Sequence, residues 1–224
     1  PGYGAAILPW YRSTLAHNTV VVDGKDQAAT KENTVKLWLG GDDLEAAASE
    51  TAEAYPGVAH SRTVVRIGDY FVLADRLRSD AEHTFDFCLH SEGKLTLDGR
   101  QAEPHPAPQP MRWIEGASAF PPQAAVSGRW SAGGSGVSFW LSGGRPLTPV
   151  VGDCPAESGS RKVPLLLGRQ QGRTAEFVAV LYPYRGQCAL SVEHQENDLV
   201  IRHGRFCDRL SLPANDRPRV AREE

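Results

Sequence analysis

The segment WYRSTLAHNTVVVDG, from Trp10 to Gly24, decides the fold that we expect for this chain. It joins aromatic, basic and imidazole side chains to a run of three valines, Val20 to Val22, and stops at Asp23-Gly24. The valines are β-branched and a tight turn follows them, which predicts a short strand. The polar residues before the valines then lie at the start of that strand, where a rigid scaffold can direct side chains towards a ligand.

Apolar and polar residues alternate through much of the remaining chain. Val64 to Ile67 and Tyr70 to Ala74 flank Gly68-Asp69 and predict a hairpin. Asp42 to Ala54 favours a strand over the helix that its alanines would also suit, whereas Gly152 to Gly159 predicts one long loop. Further strands are predicted at Val35 to Leu39, Val137 to Leu141, Phe177 to Tyr182, Ala189 to Val192 and Leu199 to Arg202. Many short strands and almost no amphipathic helix predict an all-β fold, an antiparallel β-sandwich.

The length of 224 residues fits one domain, which we place at 1–212, followed by a charged flexible tail at 213–224. Pro1 to Pro9 is predicted to be irregular. The chain starts at Pro1, has Met111 as its single methionine and shows no signal peptide, so we expect it to be part of a longer protein. Of the four cysteines, Cys88 and Cys188 are interpreted as small core residues rather than a disulfide.

The net charge of -3 gives no general attraction to nucleic acid or to anionic membranes. No apolar run approaches the roughly 20 residues of a membrane span. We therefore predict neither nucleic-acid nor membrane partners. An acidic polymer would need a local basic groove on this chain.

The residues YRSTLAHNTVVVDGKDQ, Tyr11 to Gln27, resemble the signature of heparinase II/III-like polysaccharide lyases. Within that family the segment is most similar to the exo-acting oligoalginate lyase type. Weaker similarity continues through HSRTVVRIGDYFVLADRLRS (His60 to Ser79), DFCLH (Asp86 to His90) and AEFVAVLYPY (Ala175 to Tyr184). The resemblance implies a sandwich of the super-sandwich type, forming the C-terminal part of a larger enzyme whose N-terminal α/α-toroid domain this chain lacks.

The resemblance also implies an activity, which is β-elimination at a uronic-acid linkage of alginate or of heparin and heparan sulfate. The main acid-base residues would belong to the missing toroid, so the fragment alone is expected to be inactive. The family is often periplasmic or secreted, with the cytoplasm as the alternative location.

His17 corresponds, by this resemblance, to the third ligand of a zinc site whose other ligands, a His and an Asp, would lie upstream of Pro1. Two imidazoles and a carboxylate form a plausible zinc shell. A single histidine cannot hold zinc tightly. The alternative is that His17 is a loop histidine that is hydrogen-bonded to the backbone.

Four further residues of the N-terminal segment are candidates for the active-site face. Tyr3 is the candidate catalytic residue, because a tyrosine at about this position faces the substrate cleft in related lyases; ordinary loop packing is the alternative. Arg12 either binds a uronate carboxylate or braces the sandwich through a buried ion pair. Asn18 either contacts substrate or satisfies backbone groups. Tyr11 is a candidate for substrate binding, with packing as the alternative.

A second polar set consists of His60, Arg62, Asp75 and His90. Its composition suggests a metal site, but its wide spacing favours polar residues satisfied at strand ends. Two other function classes remain open. A non-catalytic carbohydrate-binding sandwich would show two or three exposed tryptophans in line, and a structural module would show an exposed apolar face.

Overall fold

The computed structural model describes residues 7–99, 105–106, 112–195, 198–214 and 216–223. A short helix, α1 (Leu8–Arg12), and a 3-10 turn (Thr14–Ala16) precede the strands. The first strands are β1 (Val20–Val22), β2 (Thr34–Leu39), β3 (Leu44–Tyr55), β4 (Val58–Ile67), β5 (Tyr70–His90), β6 (Lys94–Leu97), β7 (His105–Pro106) and β8 (Glu115–Ala119). They are followed by β9 (Gln123–Ala132), β10 (Ser135–Ala156), a 3-10 turn (Glu157–Gly159), β11 (Arg161–Arg185), β12 (Leu190–Gln195), β13 (Asp198–His203), β14 (Phe206–Ser211) and β15 (Arg219–Glu223).

One antiparallel sheet of eleven strands is organised by the three longest, β5, β11 and β10, which are neighbours. The register of β11 shifts against β5 between Gly172 and Thr174, and that of β10 shifts between Gly143 and Thr148. These shifts divide the sheet into two halves. The first half carries β2, β3, β4, β9 and β6, and the second carries β1, β8 and β7.

The two halves enclose the main core between them. Phe85 and Phe87 of the second half belong to the same apolar cluster as Phe139 and Phe177 of the first half. A separate sheet, β12-β13-β14-β15, packs on the outer face of the first half through Leu199, Ile201 and Leu210. Helix α1 packs on the outer face of the second half through Trp10. The predicted antiparallel β-sandwich is confirmed.

The predicted strands and the hairpin at Gly68-Asp69 are confirmed, including the strand within Asp42 to Ala54. Two local predictions are wrong. Leu8 and Pro9, the end of the segment predicted to be irregular, instead begin helix α1, and Pro9 fits there because the first turn of a helix needs no amide donor. Gly152 lies inside β10 rather than in a loop. A Cβ at this position would come within 2.4 Å of Ile114 Cγ2. The glycine permits close packing and does not mark a turn.

The expected flexible tail at 213–224 also needs correction. Arg219–Glu223 forms β15 and pairs with β14, with Arg222 opposite Asp208. The Asp208 side chain is fully buried and accepts two hydrogen bonds from the Arg222 guanidinium, at 2.7 and 2.8 Å. Tyr70 and His203 donate to the same carboxylate. The charge that suggested a solvated tail instead completes a buried ion pair.

Within the part of the chain that the structure describes, no helix has the length and apolar character needed to cross a membrane.

Candidate functional site

The loop between α1 and β1 is fixed at both ends by hydrogen bonds. Ser13 Oγ donates to Trp10 O at 2.7 Å. Thr14 N–H donates to Asp26 Oδ1 at 2.7 Å, and Thr14 Oγ1 accepts from Gln27 N–H at the same distance. At the other end, Cys88 N–H donates to Thr19 O at 2.8 Å. These contacts join the loop to the turn after β1 and to the end of β5, and they position the His17-Asn18 dipeptide between the two.

Asn18 joins this loop to the end of β5. Its Oδ1 accepts from the backbone N–H of His90 at 2.8 Å and from His90 Nδ1 at 3.1 Å. Its Nδ2 lies 3.4 Å from His90 O. With the Nδ1 proton directed at Asn18, the Nε2 atom of neutral His90 carries a lone pair. That Nε2 is buried and has no hydrogen-bond partner among the described residues.

Below Asn18 lies a buried ion-pair cluster of three residues from the second polar set. The fully buried Asp75 carboxylate accepts from Arg62 Nε at 2.9 and 3.1 Å and from His60 Nε2 at 2.6 Å. Arg62 Nη1 reaches further and donates to Asn18 O at 2.7 Å. Burial acts to raise the pKa of Asp75, but Arg62 and His60 hold it below its ordinary value. The cluster therefore ties the His17-Asn18 loop to β4 and β5.

His17 presents an exposed side chain at this point of the fold. Its neighbour His90 is mostly buried, and that burial lowers the pKa of His90 to about 4, with the charge of His17 acting in the same direction. His90 is consequently neutral at physiological pH. The structure thus places an exposed imidazole beside a buried neutral one, on a loop whose backbone is held from three sides.

Two other predicted residues lie on α1. Tyr11 is half-buried and contributes to a cavity of about 280 Å³ together with Trp10, His90 and Glu92. Arg12 is exposed. It forms no ion pair with a carboxylate in the part of the chain that the structure describes, so the predicted brace through a buried ion pair is not found there. Tyr3, the predicted catalytic residue, lies outside the described residues.

The structure thus brings His17, Asn18 and the second polar set together, although the set divides in two. His60, Arg62 and Asp75 form the buried cluster, and His90 binds Asn18. Asp26 and Glu92 were not predicted as site residues. The sequence does contain a signal for the cluster, because Arg62 and Asp75 are equally far from the Gly68-Asp69 turn and so lie opposite each other in the hairpin.

The zinc prediction can be compared with the donors present. Within the described residues, no three His, Cys, Asp or Glu side chains are grouped closely enough to hold a metal ion. Asp75 is committed to Arg62 and His60. The exposed imidazole of His17 fits one position of a zinc shell, and the remaining positions would need donors from other residues.

The sequence of this chain matches a known protein family. A family model described as heparinase II/III-like, C-terminal, matches residues 3–144. An alginate lyase of Stenotrophomonas maltophilia is 27% identical over 208 residues, which covers 81% of this chain and 28% of that protein. A heparin-sulfate lyase of Pedobacter heparinus is 34% identical over 73 residues, covering 32% of this chain and 11% of that protein.

Solved structures agree on the fold. The crystal structure of a heparan sulfate lyase from Pedobacter heparinus matches 100% of this chain with a TM-score of 0.63 at 16% identity. The match covers 33% of that protein, so the chain spans about a third or less of the length of these relatives. At this identity the likeness concerns the fold alone. By the family model that matches residues 3–144, which contain the His17 loop and the buried cluster, the chain belongs to the heparinase II/III-like C-terminal domain family.

Proposed function

We propose that this chain is the C-terminal β domain of a polysaccharide lyase that cleaves a uronic-acid-containing polysaccharide by β-elimination. Family membership supports this proposal, as do the names of two relatives, which are an alginate lyase and a heparin-sulfate lyase. The substrate class is therefore an acidic polysaccharide of the alginate or the heparin and heparan type. A location in the periplasm or outside the cell, and an N-terminal α/α-toroid as partner domain, are parts of the same proposal.

The single observation that carries the proposal is the rigid presentation of His17. A lyase must remove the proton at C5 of a uronate, neutralise the adjacent carboxylate and protonate the leaving oxygen. Each task needs groups held in fixed positions. The His17 loop is held by Asn18, by the Arg62-Asp75 ion pair and by the Thr14-Asp26 contact, while the imidazole itself stays exposed.

Each residue has a stated role in this proposal. His17 would supply one ligand to a zinc ion, and the ion would add positive charge and rigid geometry at this loop when bound. Arg12, exposed and without a carboxylate partner among the described residues, binds a uronate carboxylate. Tyr11 lines the adjacent cavity as a substrate contact. Tyr3 is the proposed proton-transfer residue, either as the acid that protonates the leaving oxygen or as the base that takes the C5 proton. Asn18 already uses its Oδ1 for His90, so its substrate contact would be made through its remaining amide donor.

The test compares this chain alone with the longer lyase that contains it. Both are incubated with alginate and with heparan sulfate oligosaccharides, and the absorbance of the unsaturated uronate product is followed. The proposal predicts turnover of one of the two substrates by the longer protein and none by the chain alone. A longer protein without turnover on either substrate would refute the activity, and turnover by the chain alone would refute the division of labour between the domains.

A structural role is the second candidate, because a specific observation favours it. Trp38 is 82% exposed and Val35 is 67% exposed on the edge strand β2, as expected for an apolar surface that contacts another domain. The carbohydrate-binding alternative lacks its expected row of tryptophans, since Trp10, Trp130 and Trp140 are buried. Retained domain association together with absent turnover would favour the structural role.

A further inference from the structure

A second groove lies on the outer face of the first half of the sheet, beside the small C-terminal sheet. It has a volume of about 910 Å³, which is within the range of ligand-binding clefts. Its floor contains Ser61 of β4, Arg76 and Arg78 of β5, and Gln170 of β11. No predicted site residue of the N-terminal segment lines it.

The groove and the His17 loop lie on opposite faces of β4. Successive side chains of a strand point to opposite faces. Arg62 points into the core side and reaches Asn18, whereas its neighbour Ser61 lines the groove. In the paired strand β5, Asp75 belongs to the Arg62 side and Arg76 to the groove side. A ligand in the groove is therefore separated from His17 by the thickness of the sheet.

Two irregular strand segments shape the wall of the groove and fix Arg145 there. β10 departs from regular pairing between Gly143 and Thr148, and Arg145 lies in that interval. The buried Gln170 side chain donates to Arg145 O at 2.7 Å, and the Arg145 guanidinium donates to Thr174 O at 2.5 Å. Gly172 has a φ of +147°, which strains other residues, and the absence of a Cβ leaves room for the Arg145 guanidinium, which a Cβ would approach to 2.8 Å. Arg145 is thus positioned before any ligand arrives.

The groove carries an excess of positive charge. Five cationic side chains line it against three acidic ones, namely Lys36, Arg76, Arg78, Arg145 and Arg217 against Glu50, Glu176 and Asp216. Lys36 pairs with Glu50 at 3.3 Å, and Arg76 pairs with Glu176 at 2.9 Å. Arg78 and Arg145 are exposed and form no ion pair with the carboxylates of the described residues. Their guanidinium groups are therefore open to an external anion.

We propose that this groove binds a stretch of acidic oligosaccharide, with Arg78 and Arg145 pairing with uronate carboxylates. The inference rests on the proposed function and deepens it, because it assigns a second subsite remote from the reacting bond. Planar guanidinium groups suit carboxylates, while Ser61, Glu50 and Glu176 suit sugar hydroxyls. The acidic groups in the wall disfavour a polyphosphate. The groove would also supply the local basic surface that an acidic polymer needs on a chain of net charge -3.

The experiment measures binding by calorimetry, with an alginate hexasaccharide as the acidic probe and cellohexaose as the neutral probe of equal length. The double variant Arg78→Gln/Arg145→Gln removes the two open cations. Arg129→Gln is the matched control, because Arg129 is exposed on β9 and does not line the groove. The single variant Arg78→Gln guards against misfolding, since Arg78 has no ion pair to lose among the described residues.

The proposal expects the acidic probe to bind at least about tenfold more weakly to the double variant than to the wild type, and to bind Arg129→Gln as the wild type does. The single variant should lie between them, and cellohexaose should not bind. The proposal would be overturned if the double variant and Arg129→Gln bound the acidic probe with equal affinity, or if the wild type bound both probes with equal affinity. Turnover is measured separately on the proposed longer lyase, with His17→Ala of that protein as the inactive reference that retains groove binding. Absent turnover by the longer protein together with intact groove binding would count against the proposed lyase activity and leave the groove proposal in place.

Discussion

The Arg62-Asp75 ion pair offers the sharpest test of how the His17 loop is held. Replacing Arg62 with alanine leaves the fully buried Asp75 carboxylate with His60 as its remaining partner. Removing one member of a buried ion pair costs about 3 to 5 kcal/mol. Because His60 still donates to Asp75, we expect the lower end, about 3 kcal/mol of unfolding free energy. The urea midpoint should then fall by about 1 to 3 M.

Arg66→Ala is the matched control on the same strand and the same face. Arg66 donates to Glu45 at 2.6 Å, but both side chains are largely exposed, at 36% and 48%. Water screens such a pair, so its loss should leave the midpoint almost unchanged. Because the same charge is removed at two arginines four residues apart, comparing the two variants separates the effect of burial on stability from the effect of charge.

The pH dependence gives a second check on Arg62→Ala. The pKa of Asp75 is lowered in the folded chain, so its ionised form stabilises the protein above the ordinary value of 3.8. This contribution disappears as the pH falls through the lowered value, and the stability difference between the wild type and Arg62→Ala should shrink there. Hydrogen exchange at 17–19 should accelerate in the variant, because Asn18 O loses its donor. Equal midpoints for Arg62→Ala and Arg66→Ala would refute the reasoning.

Two further predictions concern His90 and the C-terminal strand. The pKa of His90 is about 4 against an ordinary 6.5, so the unfolded chain binds more protons than the folded chain between these pH values. The free energy of unfolding should therefore fall by up to about 3 kcal/mol as the pH is lowered through this window. Denaturant midpoints plotted against pH should have a much smaller slope for His90→Gln than for the wild type, and matching slopes would contradict the assignment. Arg222→Ala should destabilise the chain by about 1 to 3 kcal/mol, because the fully buried Asp208 loses two hydrogen bonds but keeps those from Tyr70 and His203. Arg219→Ala should have little effect on thermal unfolding because its ion pair is exposed. A solvated tail would give the two arginine variants equal melting temperatures.

The sequence was most informative where local rules determine structure. Alternation and the Gly68-Asp69 turn predicted the hairpin between β4 and β5, and the register of that hairpin brings Arg62 opposite Asp75. It was least informative where a contact joins distant segments. β15 pairs with β14 through Arg222 and Asp208, and its composition alone favours a solvated tail.

The wrong prediction at Gly152 has the same cause, which is a contact between distant segments. The candidate sites also depend on such contacts. At Gly152 the glycine accommodates Ile114, which lies in another strand connection and has no sequence signal. The Asn18-His90 contact spans 72 positions and depends on how β1 pairs with β5. Arg78 and Arg145 come together only because the strands bearing them are neighbours of β11.

The most direct test of the central claim removes the His17 imidazole from the proposed longer lyase. His17→Ala is compared with His194→Ala. His194 lies in the small separate sheet, which does not include the strands next to the His17 loop, and its side chain is hydrogen-bonded to Ser142. Bound zinc and the rate of unsaturated uronate formation are measured on the same preparations. The account predicts that His17→Ala loses both while His194→Ala keeps both. Full zinc content and full turnover in His17→Ala would contradict it.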